Sequence, residues 1–278
     1  MLYNKFYSPL MSDNQEKPLL VFIHGLLGSG EDWKEVLDAL EDYPRLTIDL
    51  PGHGKSTGCS ADGFETICNQ IAQAIKGLLS REKLPAGYPV ILIGYSLGAR
   101  LSMYGLAFER FSGLNLRYAF IEGGNFGLKT PDEKAVRMAN DKAWAERFSS
   151  EPMEQVLENW YQQPVFSSLD AVARKKLVTK RAANHGKGVA NMLISTSLAK
   201  QPYLLDKVKD IDVRLEYICG RKDNKFLELA AKSGLFYTVV QGAGHNVHKE
   251  CPADFAQLIR TKLGDIQSPE TNESTKLE

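Results

Sequence analysis

Six short, nearly unbroken apolar runs, each closed by turn residues, set the tightest limit on how this chain can fold. They read "LLVFIHG" (19–25), "RLTIDLPG" (45–52), "VILIGYS" (90–96), "RYAFIEGG" (117–124), "VRLEYICG" (213–220) and "LFYTVVQGAG" (235–244). A strand with one wet face alternates apolar and polar side chains, so runs that are apolar on both sides belong to strands covered on both faces, as in parallel sheets. Between the runs lie helical patterns. In "SADGFETICNQIAQAIKGLLS" the apolar residues Ile67, Ile71, Ala74, Ile75, Leu78 and Leu79 form the stripe of an amphipathic helix. Strands alternating with helices predict right-handed crossovers and an α/β chain with a doubly wound, mostly parallel sheet. "LYNKFY" near the start reads as an antiparallel edge strand.

The alternation stops after Gly124. From 125 to 210 the chain is rich in charged and aromatic helix formers, as in "DEKAVRMANDKAWAERF" and "MEQVLENWYQQPVF", with no convincing strand. Residues 1–124 and 211–266 are therefore expected to form one sheet domain, with 125–210 inserted as a helical cap above the strand ends. The polar stretch 267–278, rich in Ser, Thr and Glu, is read as a disordered tail.

Composition removes several classes of function. Thirty-four basic residues balance thirty-four acidic ones, so no global field draws in nucleic acid or an anionic membrane. No apolar stretch reaches the ~18 residues of a membrane span, and the N-terminus lacks the pattern of a secretion signal. Cys59, Cys68, Cys219 and Cys251 form no C-x-x-C pair and have no histidines at metal-ligand spacing. These features point to a cytoplasmic protein with reduced thiols, no metal and no cofactor, and nothing in them demands more than a monomer.

The chemistry concentrates at strand ends. "GYSLG" (94–98) matches G-x-S-x-G, with an apolar strand before it and a helical pattern after it, the context of a nucleophile elbow. A serine hydroxyl needs a histidine to take its proton and a carboxylate to hold that histidine. "CGRKDNKF" puts Asp223 just past one strand and "GAGHNVHKE" puts His245 just past the next, so Ser96, Asp223 and His245 fall at one sheet edge in the order this scaffold uses. His248 competes with His245, but the tight "GAGH" turn favours the latter. His53 in "DLPGHGKS" reads as a structural turn histidine; "GHGKS" lacks the first glycine of a phosphate loop. The pair in "HGLLG" (24–28) assigns an oxyanion hole to the backbone amides of Leu26 and Leu97. Arg100 lies one helical turn beyond Ser96, and Arg137, Arg147, Arg174 and Arg181 are candidates from the cap. Each taken alone reads more simply as a solvated charge, whereas several converging would select a polyanionic ligand.

"GYSLGAR", "IEGGNFGLKT", "NWYQQPVF", "LAKQP", "CGRKDNKF" and "GAGHNVHKE" together resemble the 2-succinyl-6-hydroxy-2,4-cyclohexadiene-1-carboxylate synthases of menaquinone biosynthesis, which are α/β-hydrolase-fold proteins. The resemblance runs from about Pro18 to about Leu263. It implies a lyase that removes pyruvate from 2-succinyl-5-enolpyruvyl-6-hydroxy-3-cyclohexene-1-carboxylate, a small tricarboxylate. It carries the triad onto Ser96, Asp223 and His245, the oxyanion amides onto Leu26 and Leu97, and substrate binding onto Tyr95, Arg100, Arg137, Trp160, Gln163 and Arg181. Tyr161 divides between the pocket and core packing. Where that family commonly has E-G-G-H-P-G-L, this chain has Asn125 and Phe126, so no role transfers to either. The alternatives are a cytosolic carboxylesterase or thioesterase using the same triad through an acyl-serine, and a non-catalytic binding protein on the same scaffold.

Overall fold

The structure, a computed structural model, describes residues 1–10 and 17–267. Its strands are β1 (Asn4–Tyr7), β2 (Leu19–Ile23), β3 (Arg45–Ile48), β4 (Pro89–Tyr95), β5 (Asn115–Glu122), β6 (Arg214–Gly220) and β7 (Tyr237–Val240). They form one sheet in the order β1-β3-β2-β4-β5-β6-β7, antiparallel only where β1 meets β3. Every predicted run is a strand of this sheet, and "LYNKFY" is its antiparallel edge.

Alternate residues of each central strand feed two cores. Leu19, Val21 and Ile23 of β2, with Val90 and Leu92 of β4, pack on one face against α2 (Phe64–Arg81) and α3 (Leu97–Ala107). Leu20, Phe22, Ile91 and Ile93 pack on the other against α1 (Lys34–Ala39) and α11 (Pro252–Gln267). Both faces are dry, which is why the strands read as continuous apolar runs. On α2 the predicted stripe is buried at Ile67, Ile71, Ala74, Ile75 and Leu78, and Leu79 lies half-buried at its margin.

Between β5 and β6 run α4 (Pro131–Ser150), α5 (Met153–Trp160), α6 (Ala171–Arg181), α7 (Gly186–Ser195) and α8 (Leu205–Lys209). Helices α4 to α7 share a separate apolar cluster built on Phe148, Val156, Leu157, Tyr161, Val178, Val189 and Leu193, into which Leu27 of the sheet domain also packs. Leu204, Leu205 and Val208 at α8 join the sheet core instead. After β6 come α9 (Asn224–Ser233) and, beyond β7, α10 (Val247–Glu250). Residue 267 closes α11, and the rest of the stretch expected to be a disordered tail lies outside the described residues.

The register pairs Ile23 with Gly94, Tyr95 with Glu122, Glu122 with Ile218, and Gly220 with Val240, so the carboxyl ends of these strands stand level. Chain order reverses between β2 and β4, which opens a crevice at those ends. Open α/β sheets place their sites at such a switch point.

Candidate active site

Ser96 joins β4 to α3 with φ 49° and ψ −102°, a conformation a non-glycine residue adopts only when its surroundings hold it there. Its amide donates to the Glu122 carbonyl at 2.8 Å, fixing the turn to the neighbouring strand. The side chain is thereby lifted off the strand end into a cavity of about 320 Å³.

His245 reaches the same cavity from the turn after β7, with Nε2 3.4 Å from Ser96 Oγ and Nδ1 2.7 Å from Asp223 Oδ2. Asp223 accepts the Nδ1 proton, which leaves the Nε2 lone pair facing the serine. The serine contact is at the long end of the hydrogen-bond range. Asp223 caps α9, its Oδ1 accepting from the Phe226 amide at 3.3 Å, so one carboxylate is held by a helix terminus and aimed by it. The imidazole packs on Phe226 and Tyr95, with ring centroids 4.6 and 5.4 Å away. Beneath it lies Gly123, at φ +58°, where an added Cβ would stand 2.8 Å from His245 Cε1. The second residue of "EGG" is glycine because the histidine occupies its side-chain space.

His248 is not on the cavity wall. It is buried, its Nδ1 is 2.8 Å from Glu122 Oε2, and its ring stacks on Trp33 at 4.1 Å. The "GAGH" turn thus delivers His245 to the serine and leaves His248 to a buried carboxylate behind Tyr95, which it meets edge-on at 4.8 Å.

Leu26, Leu97 and Ser96 all line the cavity. The Leu97 amide is the first of α3, where helical geometry supplies no internal acceptor. The loop carrying Leu26 is pinned by two neutral histidines. His53 Nε2 accepts from the Leu27 amide at 3.0 Å, and His24 Nε2 accepts from the Leu50 amide at 2.9 Å. Burial lowers their pKa values from 6.5 to about 4 for His24 and about 3 for His53. His53, read as a turn residue, is one that shapes the neighbouring loop.

The arginines sort cleanly. Arg100, Arg137 and Arg181 line the cavity; Arg147 pairs with Glu151 on α4 and its C-cap, and Arg174 donates to Gln162 and to the Leu169 carbonyl, and neither is on the cavity wall. Arg100 donates to Gln201 Oε1 and to the Thr196 carbonyl, both at 2.6 Å. Its pKa is pushed down to about 9 by burial and then by the charge of Arg137, so it stays protonated at neutral pH while gaining from any anion that arrives. Arg137 is tied to buried Asp141 at 2.8 Å, and Ser197 Oγ donates to the other oxygen of that carboxylate at 2.7 Å. Tyr95, Trp160 and Gln163 line the cavity too, whereas Asp223 stands behind His245 rather than on the wall.

Sequence reasoning missed Lys225. It follows Asp223 by two residues and lines the cavity, where burial and then Arg137 lower its pKa. Its only signal was a position two residues after Asp223, in the first turn of α9. Tyr161 is 4% exposed, belongs to the cluster of α4 to α7 and lines the cavity, so its two readings hold together. Asn125 lines the cavity, while Phe126 is 3% exposed and packs on Tyr217 at 5.5 Å.

A level row of parallel strand ends, a strained serine on its elbow and a Ser-His-Asp chain define the α/β-hydrolase class. In agreement, the family model described as "Alpha/beta hydrolase family" matches residues 20–258, and the chain belongs to that family. The fold is shared with a thermophilic esterase from Thermogutta terrifontis, at TM-score 0.74 and 18% identity over 96% of this chain and 94% of that one. A nearer match is the structure of MenH from S. aureus, with TM-score 0.84 and 25% identity over 96% of this chain and 100% of that one. Two proteins named 2-succinyl-6-hydroxy-2,4-cyclohexadiene-1-carboxylate synthase, from Yersinia pestis (strain Pestoides F) and Yersinia pseudotuberculosis serotype O:3 (strain YPIII), are each 46% identical to it. These matches span 242 residues, 87% of this chain and 86% of each relative. Within the α/β hydrolases, the chain belongs with the 2-succinyl-6-hydroxy-2,4-cyclohexadiene-1-carboxylate synthases.

Proposed function

We propose that this protein is a carbon–oxygen lyase of menaquinone biosynthesis. It eliminates pyruvate from 2-succinyl-5-enolpyruvyl-6-hydroxy-3-cyclohexene-1-carboxylate to give 2-succinyl-6-hydroxy-2,4-cyclohexadiene-1-carboxylate. The observation that carries this reading is the charge of the cavity. Arg100, Arg137, Arg181 and Lys225 face one space beside Ser96, and Arg100 is held by neutral acceptors rather than by a carboxylate. A neutral ester gains nothing from these cations, whereas a tricarboxylate offers Arg100 the carboxylate it lacks and adds to the single carboxylates already held by Arg137 and Arg181.

In this mechanism the arginines and Lys225 orient the trianion, with Tyr95, Trp160 and Gln163 shaping the walls around its ring. His245, oriented by Asp223, draws the proton of Ser96 Oγ, and the serine oxygen removes the ring proton next to the succinyl carbonyl. Negative charge builds on that carbonyl oxygen and meets the amides of Leu26 and Leu97. The electron pair then passes through the ring alkene and breaks the ring carbon–oxygen bond to the enolpyruvyl group. That group leaves as enolpyruvate and takes a proton on carbon to become pyruvate. No acyl-enzyme forms and no water is consumed. The inserted segment 125–210 serves as a roof that supplies Arg137, Trp160, Gln163 and Arg181.

The reading takes the protein to act as a monomer, and among the described residues no helix is long and apolar enough to cross a membrane. The reading includes work in the cytoplasm. The test is to supply the enolpyruvyl tricarboxylate and follow pyruvate with a coupled lactate dehydrogenase. Pyruvate released in step with substrate loss is expected; no pyruvate, with rapid turnover of p-nitrophenyl esters, supports the acyl-serine alternative instead.

A further inference from the structure

Asp32 has no part in the chemistry above, yet it is 4% exposed and holds three polar partners. It lies in the 3-10 turn Gly30–Trp33, directly after the loop that bears Leu26. Its Oδ2 accepts from the Ser29 amide at 3.1 Å and from an Arg181 terminal nitrogen at 2.5 Å. Its Oδ1 accepts from Lys180 Nζ at 2.7 Å. Both cations end α6, so a single carboxylate of the sheet domain gathers the last turn of an inserted helix. A few residues on, Asn184 Nδ2 donates to the Leu27 carbonyl at 3.0 Å.

Arg181 meets Tyr161 on a second side, and that neighbour, after Asp32, favours the charged guanidinium. Its buried Nε has no acceptor among the described residues, although Arg181 lines the cavity. One carboxylate set against two cations leaves the group with net positive charge, so Asp32 can hold Arg181 still without cancelling its attraction for an anion.

We infer that Asp32 is a positioning residue: it clamps Arg181 in one arrangement beside Tyr161, with the cavity-lining part of the side chain left to meet a substrate carboxylate, and so ties that grip to the Leu26 loop. The inference rests on the tricarboxylate reading of the cavity. An arginine ordered beforehand loses less side-chain freedom on binding than one that must be gathered from solvent.

The test is a double-mutant cycle in a Ser96→Ala background, which holds the tricarboxylate without turning it over. Calorimetric titration with the enolpyruvyl tricarboxylate compares Arg181→Ala, Asp32→Asn and the pair. The loss of one charge-assisted hydrogen bond predicts about tenfold or more weaker binding for each single change. Because Asp32 acts through Arg181, the double variant binds no more weakly than Arg181→Ala. Unaltered affinity in Asp32→Asn, or losses that multiply in the double variant, overturns the inference; a merely structural Asp32 lowers the melting temperature without coupling to Arg181. Should Asp32→Asn lack a cooperative thermal melt, Tyr161→Phe takes its place in the cycle with the same expected and contrary results. Pyruvate release by the unaltered chain is a separate readout. Coupled binding without pyruvate sinks the lyase reading and keeps the clamp, while pyruvate with multiplying losses does the reverse.

Discussion

Gly98→Ala probes the contact that sets the spacing of the two amides proposed as the oxyanion hole. Gly98 is the second residue of α3, and a Cβ there would stand 2.1 Å from the Ile23 carbonyl oxygen and 2.7 Å from that of His24. Ordinary contact begins at 3.4 Å, so α3 and the end of β2 must part by more than 1 Å. Both obstacles are backbone at the edge of a buried sheet, so no flexible side chain can swing aside. Overpacking of this kind costs about 1–3 kcal/mol. At about 2–4 °C per kcal/mol for a chain of this size, the melting temperature should fall by roughly 2–12 °C. The displaced segments carry Leu26 and Leu97, so pyruvate release should drop on the order of 10²-fold, the cost of one oxyanion donor. Gly77→Ala is the internal control, since nothing stands within 4 Å of its added Cβ on α2, and it should gain about 0.5–1 kcal/mol. Calorimetric melts with the pyruvate assay read both variants. A Gly98→Ala protein that melts with the wild type and keeps its rate refutes the reasoning.

Other outcomes follow from the same geometry. Arg100→Ala should cut kcat/KM for the tricarboxylate about tenfold or more beyond any loss on p-nitrophenyl acetate, from the loss of a charge-assisted contact; equal losses mean that Arg100 reads no carboxylate. Gly123→Ala, which pushes a Cβ to 2.8 Å from His245 Cε1, should impair turnover far more than stability, as paired melts and rates will show. His24 and His53 have folded pKa values of about 4 and about 3, below their ordinary 6.5, so the unfolded chain binds more protons as acid is added. Their stabilising contribution is complete above pH 6.5 and is lost as pH falls toward 4 and then 3. The slope approaches about 1.4 kcal/mol per pH unit for each histidine. Urea midpoints from pH 7 to 4.5 should show this, and His53→Gln should flatten it; an unchanged slope in that variant means that His53 is not the titrating group.

The sheet was legible because both faces are dry: continuous apolar runs can mean little else when helical stripes such as that of α2 separate them. Ser96 and His245 were legible because each ends a strand in a glycine-bounded turn, and Asp223 because it follows "LEYICG". What stayed hidden depends on which way a helix faces. Nothing in "DEKAVRMANDKAWAERF" separates Arg137, on the cavity wall, from Arg147, paired with Glu151, because their roles depend on which helix face meets the cavity. Lys225 looked like any surface lysine. Asp32 was passed over because its partners lie 148 and 149 residues away, and a lone acid in a turn gives no spacing signal.

The central claim is that Ser96 takes a proton and carries no acyl group. The most direct measurement is the single-turnover rate of pyruvate release from substrate deuterated at the ring carbon beside the succinyl carbonyl. Proton abstraction by Ser96 predicts slower release than from the undeuterated compound, with the protein mass unchanged throughout. Equal rates, together with a substrate-derived adduct on Ser96, would contradict it.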